Sequence, residues 1–183
     1  MADLLSSTSI SGVIIANPAA HNDGRGNFSE IFRKSWFPSF KEAIQWNKSN
    51  KKAGSLVGLH YHIHQSDYWF AFAGRANVVL HDLRIDSPTQ NVTLQLEIGE
   101  ENPIGIFIPP GVLHGFIAFT DLTLSYLVDG YYDPEEELGV AWDDPDIGAE
   151  WGIGNPILSS RDRLNPLKKD LEIQKIPRFE TLS

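Results

Sequence analysis

The sequence predicts an all-β fold, an antiparallel barrel or jelly roll, on three observations. Short strand-like stretches recur along most of the chain, turns containing Gly or Pro separate them, and helical periodicity is scarce. The clearest alternation is Val92-Thr-Leu94-Gln-Leu96-Glu-Ile98, which buries one face and wets the other, as a strand of an antiparallel sheet does. Further strands are expected at 12–16, 28–32, 43–49, 56–62, 68–72, 76–83, 104–108, 115–119 and 122–128, with turns at Asp86-Ser-Pro88, 100–103 and Pro109-Pro110-Gly111. Residues 133–162 are rich in Asp, Glu, Gly, Pro and Trp and lack periodicity, so they are expected to wrap the barrel as ordered loops. The chain from Leu167 onward is expected to form a short peripheral helix or tail. No repeat, low-complexity tract or linker divides the 183 residues, which fit one domain (1–183) with a sizeable core.

Composition excludes several functions. No apolar run approaches the roughly 18 residues needed to span a bilayer, and residues near Met1 lack the charged and apolar regions of a signal peptide. A cytoplasmic protein with no membrane partner is therefore expected. Cysteine is absent, which rules out disulfides, thiolate metal ligands and a cysteine nucleophile. A formal charge of −9 argues against nucleic acid as a partner, because a backbone binder needs clustered Lys and Arg. A single phosphorylated small molecule stays open, since one or two arginines can clamp a pyrophosphate.

Four of the six histidines fall in two stretches. In Gly58-Leu-His60-Tyr61-His62-Ile63-His64 the three histidines alternate, so an extended strand would point them to one face and Tyr61 and Ile63 to the other. His114 follows the turn Pro109-Pro110-Gly111. The spacing from Gly54 through His60-x-His62 and Asp67 to Gly74 resembles the first motif of the cupin family, with Asp in place of the usual Glu. Pro109-x-Gly111-x-x-His114 resembles part of the second. Alternate residues on a strand stand about 6 to 7 Å apart, close enough for two imidazoles to converge on one ion. His60, His62, Asp67 and His114 are thus candidate ligands for zinc, iron, manganese or nickel. The alternative is a set of hydrogen-bonded polar residues in a barrel mouth.

A second resemblance extends over nearly the whole chain. Asp23-Gly-Arg25-Gly26-Asn-Phe28-Ser-Glu30, Gln45-Trp-Asn47-Lys-Ser49, Gly58-Leu-His60-Tyr61, Asp82-Leu-Arg84, His114-Gly115-Phe116, Tyr131-Tyr132-x-Pro134-Glu135, Trp142-x-Asp144-Pro145 and Leu158-Ser159-x-Arg161-Asp162 occur in the order of the dTDP-4-dehydrorhamnose 3,5-epimerase family. That resemblance implies a cupin-type jelly roll and a nucleotide-diphosphate sugar with a 4-keto group as substrate. It also implies a homodimer that exchanges N-terminal strands and a role in deoxysugar and cell-surface polysaccharide (O-antigen) biosynthesis, with no cofactor required. It makes His60 the general base, oriented by Asp162, and Tyr126 the general acid. It assigns Arg25, Phe28, Glu30, Gln45, Asn47, His114, Tyr132 and Arg161 to substrate binding. Independently of the family, Leu122, Leu124, Tyr126 and Val128 alternate on one face, so the phenol should point inward.

The chain departs from that family at three positions. Asp67 aligns with the family's active-site lysine, Val57 with its arginine and His62 with the glutamine after the base. The changes remove cations that would meet an enolate or phosphate oxygen. Three readings follow: the epimerase, a metal-dependent cupin isomerase or oxygenase using His60, His62, Asp67 and His114, and a non-catalytic sugar-nucleotide binder.

Overall fold

In the computed structural model, which describes residues 4–179, the strand-like stretches become thirteen strands among the described residues. β1 (Leu5–Ser7) and β2 (Ile14–Ala16) precede a small hairpin of β3 (His21–Asp23) and β4 (Gly26–Phe28). Next come β5 (Gln45–Lys51), β6 (Leu56–Tyr61), β7 (Asp67–Ala73), β8 (Arg75–Asp82) and β9 (Thr93–Gly99). β10 (Gly105–Ile108), β11 (Val112–Ala118), β12 (Leu122–Val128) and the two-residue β13 (Leu138–Gly139) complete the set. One sheet has the order β1-β2-β10-β7-β12-β5, the other β13-β6-β11-β8-β9, and the strand pairs are antiparallel. Successive strands from β5 to β8 and from β9 to β12 alternate between the sheets, which is the jelly roll expected.

Alternation decides what each face buries. Trp69 and Ala71 of β7, Val78 and Leu80 of β8, Ile106 and Ile108 of β10 and Phe116 of β11 point between the sheets and form the central core. The opposite faces are covered too, so β11 is buried along its whole length and reads as a nearly continuous apolar run. Val140, Ile147 and Trp151 from 133–162 pack on Leu59, Tyr61, Val79, Leu113 and Ile117, so the aperiodic segment does wrap the barrel as loops. Phe37 and Phe40 cover Tyr68, Phe70 and Phe107 on the other side.

The differences from expectation have local causes. Residues 29–33 form no strand; Ile31 and Phe32 instead pack on the aromatic cluster, and the Tyr68 hydroxyl donates to the Ile31 carbonyl. β11 starts three residues earlier than expected because the Pro109–Pro110–Gly111 turn reverses the chain at once. β1, β3 and β13 have no apolar alternation of their own and are defined by the strands beside them. The expected peripheral helices are single 3-10 turns at Lys34–Trp36, Lys168–Asp170 and Ile173–Lys175. No helix among the described residues is long and apolar enough to cross a membrane.

The Asp82-Leu-Arg84 motif acts as a rivet. The fully buried Asp82 carboxylate accepts from Arg84 Nε and Nη2 (both 2.8 Å), Ser87 Oγ (2.6 Å) and Thr89 Oγ1 (2.7 Å). Arg84 Nη2 also donates to the Ser11 carbonyl (2.7 Å), which ties the N-terminal segment to the turn after β8.

One irregularity positions the interior. His114 lies opposite His60 but Phe116 lies opposite Val57, so β6 carries one extra residue between them. This bulge resets the alternation: Val57 and His60 both reach the interior cavity, while Leu56, Leu59 and Tyr61 face the covering loops. Gly58 at the bulge has φ +118°, and a Cβ there would sit 2.7 Å from Gly115 Cα and 2.9 Å from the His114 carbonyl oxygen. Both contacts are backbone and cannot move aside without opening the β6–β11 ladder. Gly58→Ala is therefore expected to lower stability in urea unfolding by about 3 kcal/mol, from positive φ and steric overlap together. A variant as stable as wild type would show that the close approach does not govern the bulge.

Candidate active site

A cavity of about 190 Å³ lies between the inward faces of β5, β6, β7, β11 and β12. His60 enters it from β6 just after the bulge, Asp67 from the start of β7, His114 from β11 and Tyr126 from β12. Tyr126 faces inward as the alternation of β12 requires, in register with Asn47 on one side and Trp69 on the other.

His60 and Asp162 form a dyad. His60 Nε2 lies 2.7 Å from Asp162 Oδ1, and Asp162 Oδ2 accepts from Ser159 Oγ at 2.7 Å. Asp162 is buried at 4 % exposure, and burial alone would raise its pKa. The hydrogen bonds from His60 and Ser159, with the nearby Arg161 charge, outweigh burial and hold the carboxyl below its usual value. A carboxylate can only accept, so Nε2 carries the proton and Nδ1 keeps the lone pair. Tyr126 is shifted the other way: burial first, then the negative charges of Asp67 and Glu137, raise its pKa and keep the phenol protonated.

His62, Asp67 and His114 make a second group. All three are buried, and their potential ligand atoms lie within 4.8 Å of one another. His62 Nδ1 donates to the Glu136 carbonyl at 3.0 Å and His114 Nδ1 to the Val112 carbonyl at 2.9 Å. Burial is the main force pushing the His114 pKa down to about 4, so that ring is neutral. Asp67 Oδ1 accepts from Gln65 Nε2 and Oδ2 from Trp69 Nε1, both at 2.9 Å.

The expected row of three histidines is corrected. β6 ends at Tyr61 and the chain turns, with the Glu136 carboxylate accepting from the backbone N–H groups of Ile63 (3.0 Å) and His64 (3.1 Å). His64 is left exposed, outside the cavity lining. Of the four expected metal ligands, His62, Asp67 and His114 converge within 4.8 Å, while His60 is hydrogen-bonded through Nε2 to Asp162.

The expected substrate-binding residues divide in two. Gln45 and Asn47 lie on the inward face of β5, joined by a 3.0 Å hydrogen bond, and Gln45 Oε1 accepts from the backbone N–H of Tyr132 at 3.4 Å. Arg161 pairs with Glu137, a cavity-lining carboxylate, at 2.6 Å. Arg25, Phe28 and Glu30 do not line this chain's own cavity. Arg25 is fully exposed on the β3–β4 hairpin and paired with Asp23, Phe28 is exposed beside it, and Glu30 pairs with Arg33. Sequence reasoning missed Lys51 and Ser49 as cavity residues, although the alternation Gln45, Asn47, Ser49, Lys51 could have revealed both. Ser159 stands within a family motif, but its hydrogen bond to Asp162 shows only in the structure.

Comparison with known proteins identifies the family. The sequence pattern of the family described as dTDP-4-dehydrorhamnose 3,5-epimerase matches residues 7–170. The chain is similar to the spore coat polysaccharide biosynthesis protein SpsL of Bacillus subtilis, 39 % identical over 148 residues, covering 78 % of this chain and 96 % of that protein. It is 32 % identical to a dTDP-4-dehydrorhamnose 3,5-epimerase of Sinorhizobium fredii, over 91 % of this chain and 90 % of that one. Its fold is similar to that of the Legionella pneumophila dTDP-6-deoxy-D-glucose-3,5-epimerase solved with dTDP-4-keto-L-rhamnose, with a TM-score of 0.89 and 28 % identity. That match covers 97 % of this chain and 98 % of the other. With the family pattern spanning most of its length and the strands of a solved relative matching its own, this chain belongs to the dTDP-4-dehydrorhamnose 3,5-epimerase family of isomerases.

Proposed function

We propose that this chain epimerises a 4-keto-6-deoxy sugar carried on a nucleoside diphosphate, dTDP in the first instance, at C3, C5 or both. The observation that carries the proposal is the His60–Asp162 dyad at 2.7 Å entering the same cavity as a phenol held in its protonated form. A proton on carbon beside a ketone becomes acidic only if the resulting enolate is stabilised. His60 Nδ1 takes that proton, and the C–H electron pair moves into the C=C bond as the ketone oxygen becomes the enolate oxygen. Tyr126 Oη–H then protonates the same carbon from the opposite face, inverting it, and solvent restores both groups. Asp162 keeps the proton on Nε2 and stabilises the imidazolium when it forms. These transfers require no redox or group-carrying cofactor.

Lys51 supplies a positive charge to the cavity, as an anionic sugar nucleotide requires. Gln45, Asn47 and Tyr132, clustered at one end of β5, offer a binding rim. Arg25, Phe28 and Glu30 complete the nucleotide site if they come from a second subunit. The exposed β3–β4 hairpin, together with the exposed Trp46 and Phe72, favours a homodimer with exchanged N-terminal strands.

In deuterated buffer the wild-type protein is expected to exchange deuterium into C3 or C5 of dTDP-4-keto-6-deoxyglucose. His60→Ala and Tyr126→Phe should each reduce epimerised product by about 10²- to 10⁴-fold. Exchange undiminished in both variants would remove the assigned roles, and no exchange by wild type would favour a non-catalytic binder.

The dyad also has a pH signature. The Asp162 pKa is depressed on folding, so its stabilising contribution is fully present above the unfolded value of about 3.9 and is lost as pH falls through the folded one. Between pH 5 and pH 3, wild type should lose more unfolding free energy in urea than Asp162→Asn. Equal losses would place the acid-sensitive interaction elsewhere.

A further inference from the structure

We infer that His62, Asp67 and His114 bind a single divalent transition-metal ion through His62 Nε2, the Asp67 carboxylate and His114 Nε2. Three independent features of the site converge on this. The first is tautomer control: each Nδ1–H is committed to a backbone carbonyl, Glu136 for His62 and Val112 for His114. A carbonyl oxygen can only accept, so each Nδ1 carries its hydrogen and Nε2 is the nitrogen left to ligate. Anchoring the distal N–H in this way is how metal-ligating imidazoles are oriented.

The second feature is spacing. His62 Nε2 stands 3.9 Å from Asp67 Oδ1, too long for a hydrogen bond, and the three donor atoms lie within 4.8 Å of one another. Donors held at about 2.0 to 2.2 Å by one tetrahedral ion stand about 3.4 Å apart, so binding asks for closure on the order of 1 Å. The ring centroids of His62 and His114 are already 5.3 Å apart.

The third feature is charge. Asp67 is 4 % exposed, and no Lys or Arg pairs with it among the described residues. Lys51 enters from the far end of β5, opposite Leu122, whereas Asp67 lies opposite Val128, six residues along β12. A buried carboxylate whose neighbours are two oriented imidazoles is completed by a cation. Gln65 and Trp69 fix its two oxygens, and Trp69 also packs edge-on against His114 at 5.2 Å.

Two nitrogens and a carboxylate suit Zn²⁺, Fe²⁺, Mn²⁺ or Co²⁺ and leave coordination positions open. His62, Asp67 and His114 line the same cavity as His60 and Tyr126, so those open positions face the substrate. Resting on the epimerase reading, the ion would take the ketone oxygen and the charge of the enolate as a Lewis acid.

The test is Co²⁺ titration of chelator-stripped protein, read by d–d absorption and by calorimetry, with Zn²⁺ as competitor. Wild type is expected to bind one ion per chain. Asp67→Asn and His62→Gln, each checked for native circular dichroism and melting, should weaken binding by about 100-fold or more. His64→Ala, an exposed neighbour, should not. No stoichiometric binding by wild type, or binding retained in both folded ligand variants, would overturn the site. Co²⁺ binding without deuterium exchange keeps the metal site and removes the epimerase reading. Exchange by stripped protein that binds no Co²⁺ does the reverse.

Discussion

The interior of this protein depends on how closely two strands approach at Gly58 and Gly115. The φ of +118° at Gly58 and the absence of a Cβ there, which would lie 2.7 Å from Gly115 Cα, allow β6 to accommodate one extra residue against β11. In a regular strand Val57 and His60 would fall on opposite faces, because they are three apart. With the extra residue, Val57 and His60 share the cavity while Leu59 and Tyr61 anchor the loops that wrap the barrel. Those loops deliver Asp162 and Ser159 to His60, and Glu136 to His62. Packing on one face of β6 and chemistry on the other are therefore set by one backbone irregularity.

The same loops control protonation. His60 Nε2 faces a carboxylate, whereas Nδ1 of His62 and of His114 faces a backbone carbonyl. Three histidines on adjoining strands and turns thus have two kinds of partner, a carboxylate or a backbone carbonyl, and that partner fixes which ring nitrogen faces the cavity. Burial acts in one direction throughout, disfavouring charge on Tyr126, His114 and Asp162 alike. Of these three, Asp162 has enough hydrogen bonds to overcome it.

The cavity is built from one chain, but the candidate nucleotide contacts are not gathered in one place. Gln45, Asn47 and Tyr132 cluster at the cavity's rim, while Arg25 and Phe28 stand on an exposed hairpin whose strands pair with each other. Phe28 is 69 % exposed at the end of that hairpin.

Much of the fold and part of the site are legible in the sequence, for definite physical reasons. Alternation in β9 and β12 identifies the strands and orients Tyr126, because side chains on a strand must take opposite faces. Gly and Pro mark the turns, and the motifs from Asp23 to Asp162 mark the family. What alternation cannot show is where it breaks. The bulge at Gly58 and the end of β6 at Tyr61 depend on contacts with β11 and with Glu136, 73 residues away from Ile63. For that reason the sequence suggests one row of three histidines, whereas the structure separates them into one bonded to a carboxylate, one bonded to a backbone carbonyl and one exposed. The pairing of His60 with Asp162, 102 residues apart, and the exclusion of Arg25 and Phe28 from their own chain's cavity likewise depend on tertiary structure. Residue type and local period are written in the chain; which nitrogen faces which partner is decided only when distant segments close around it.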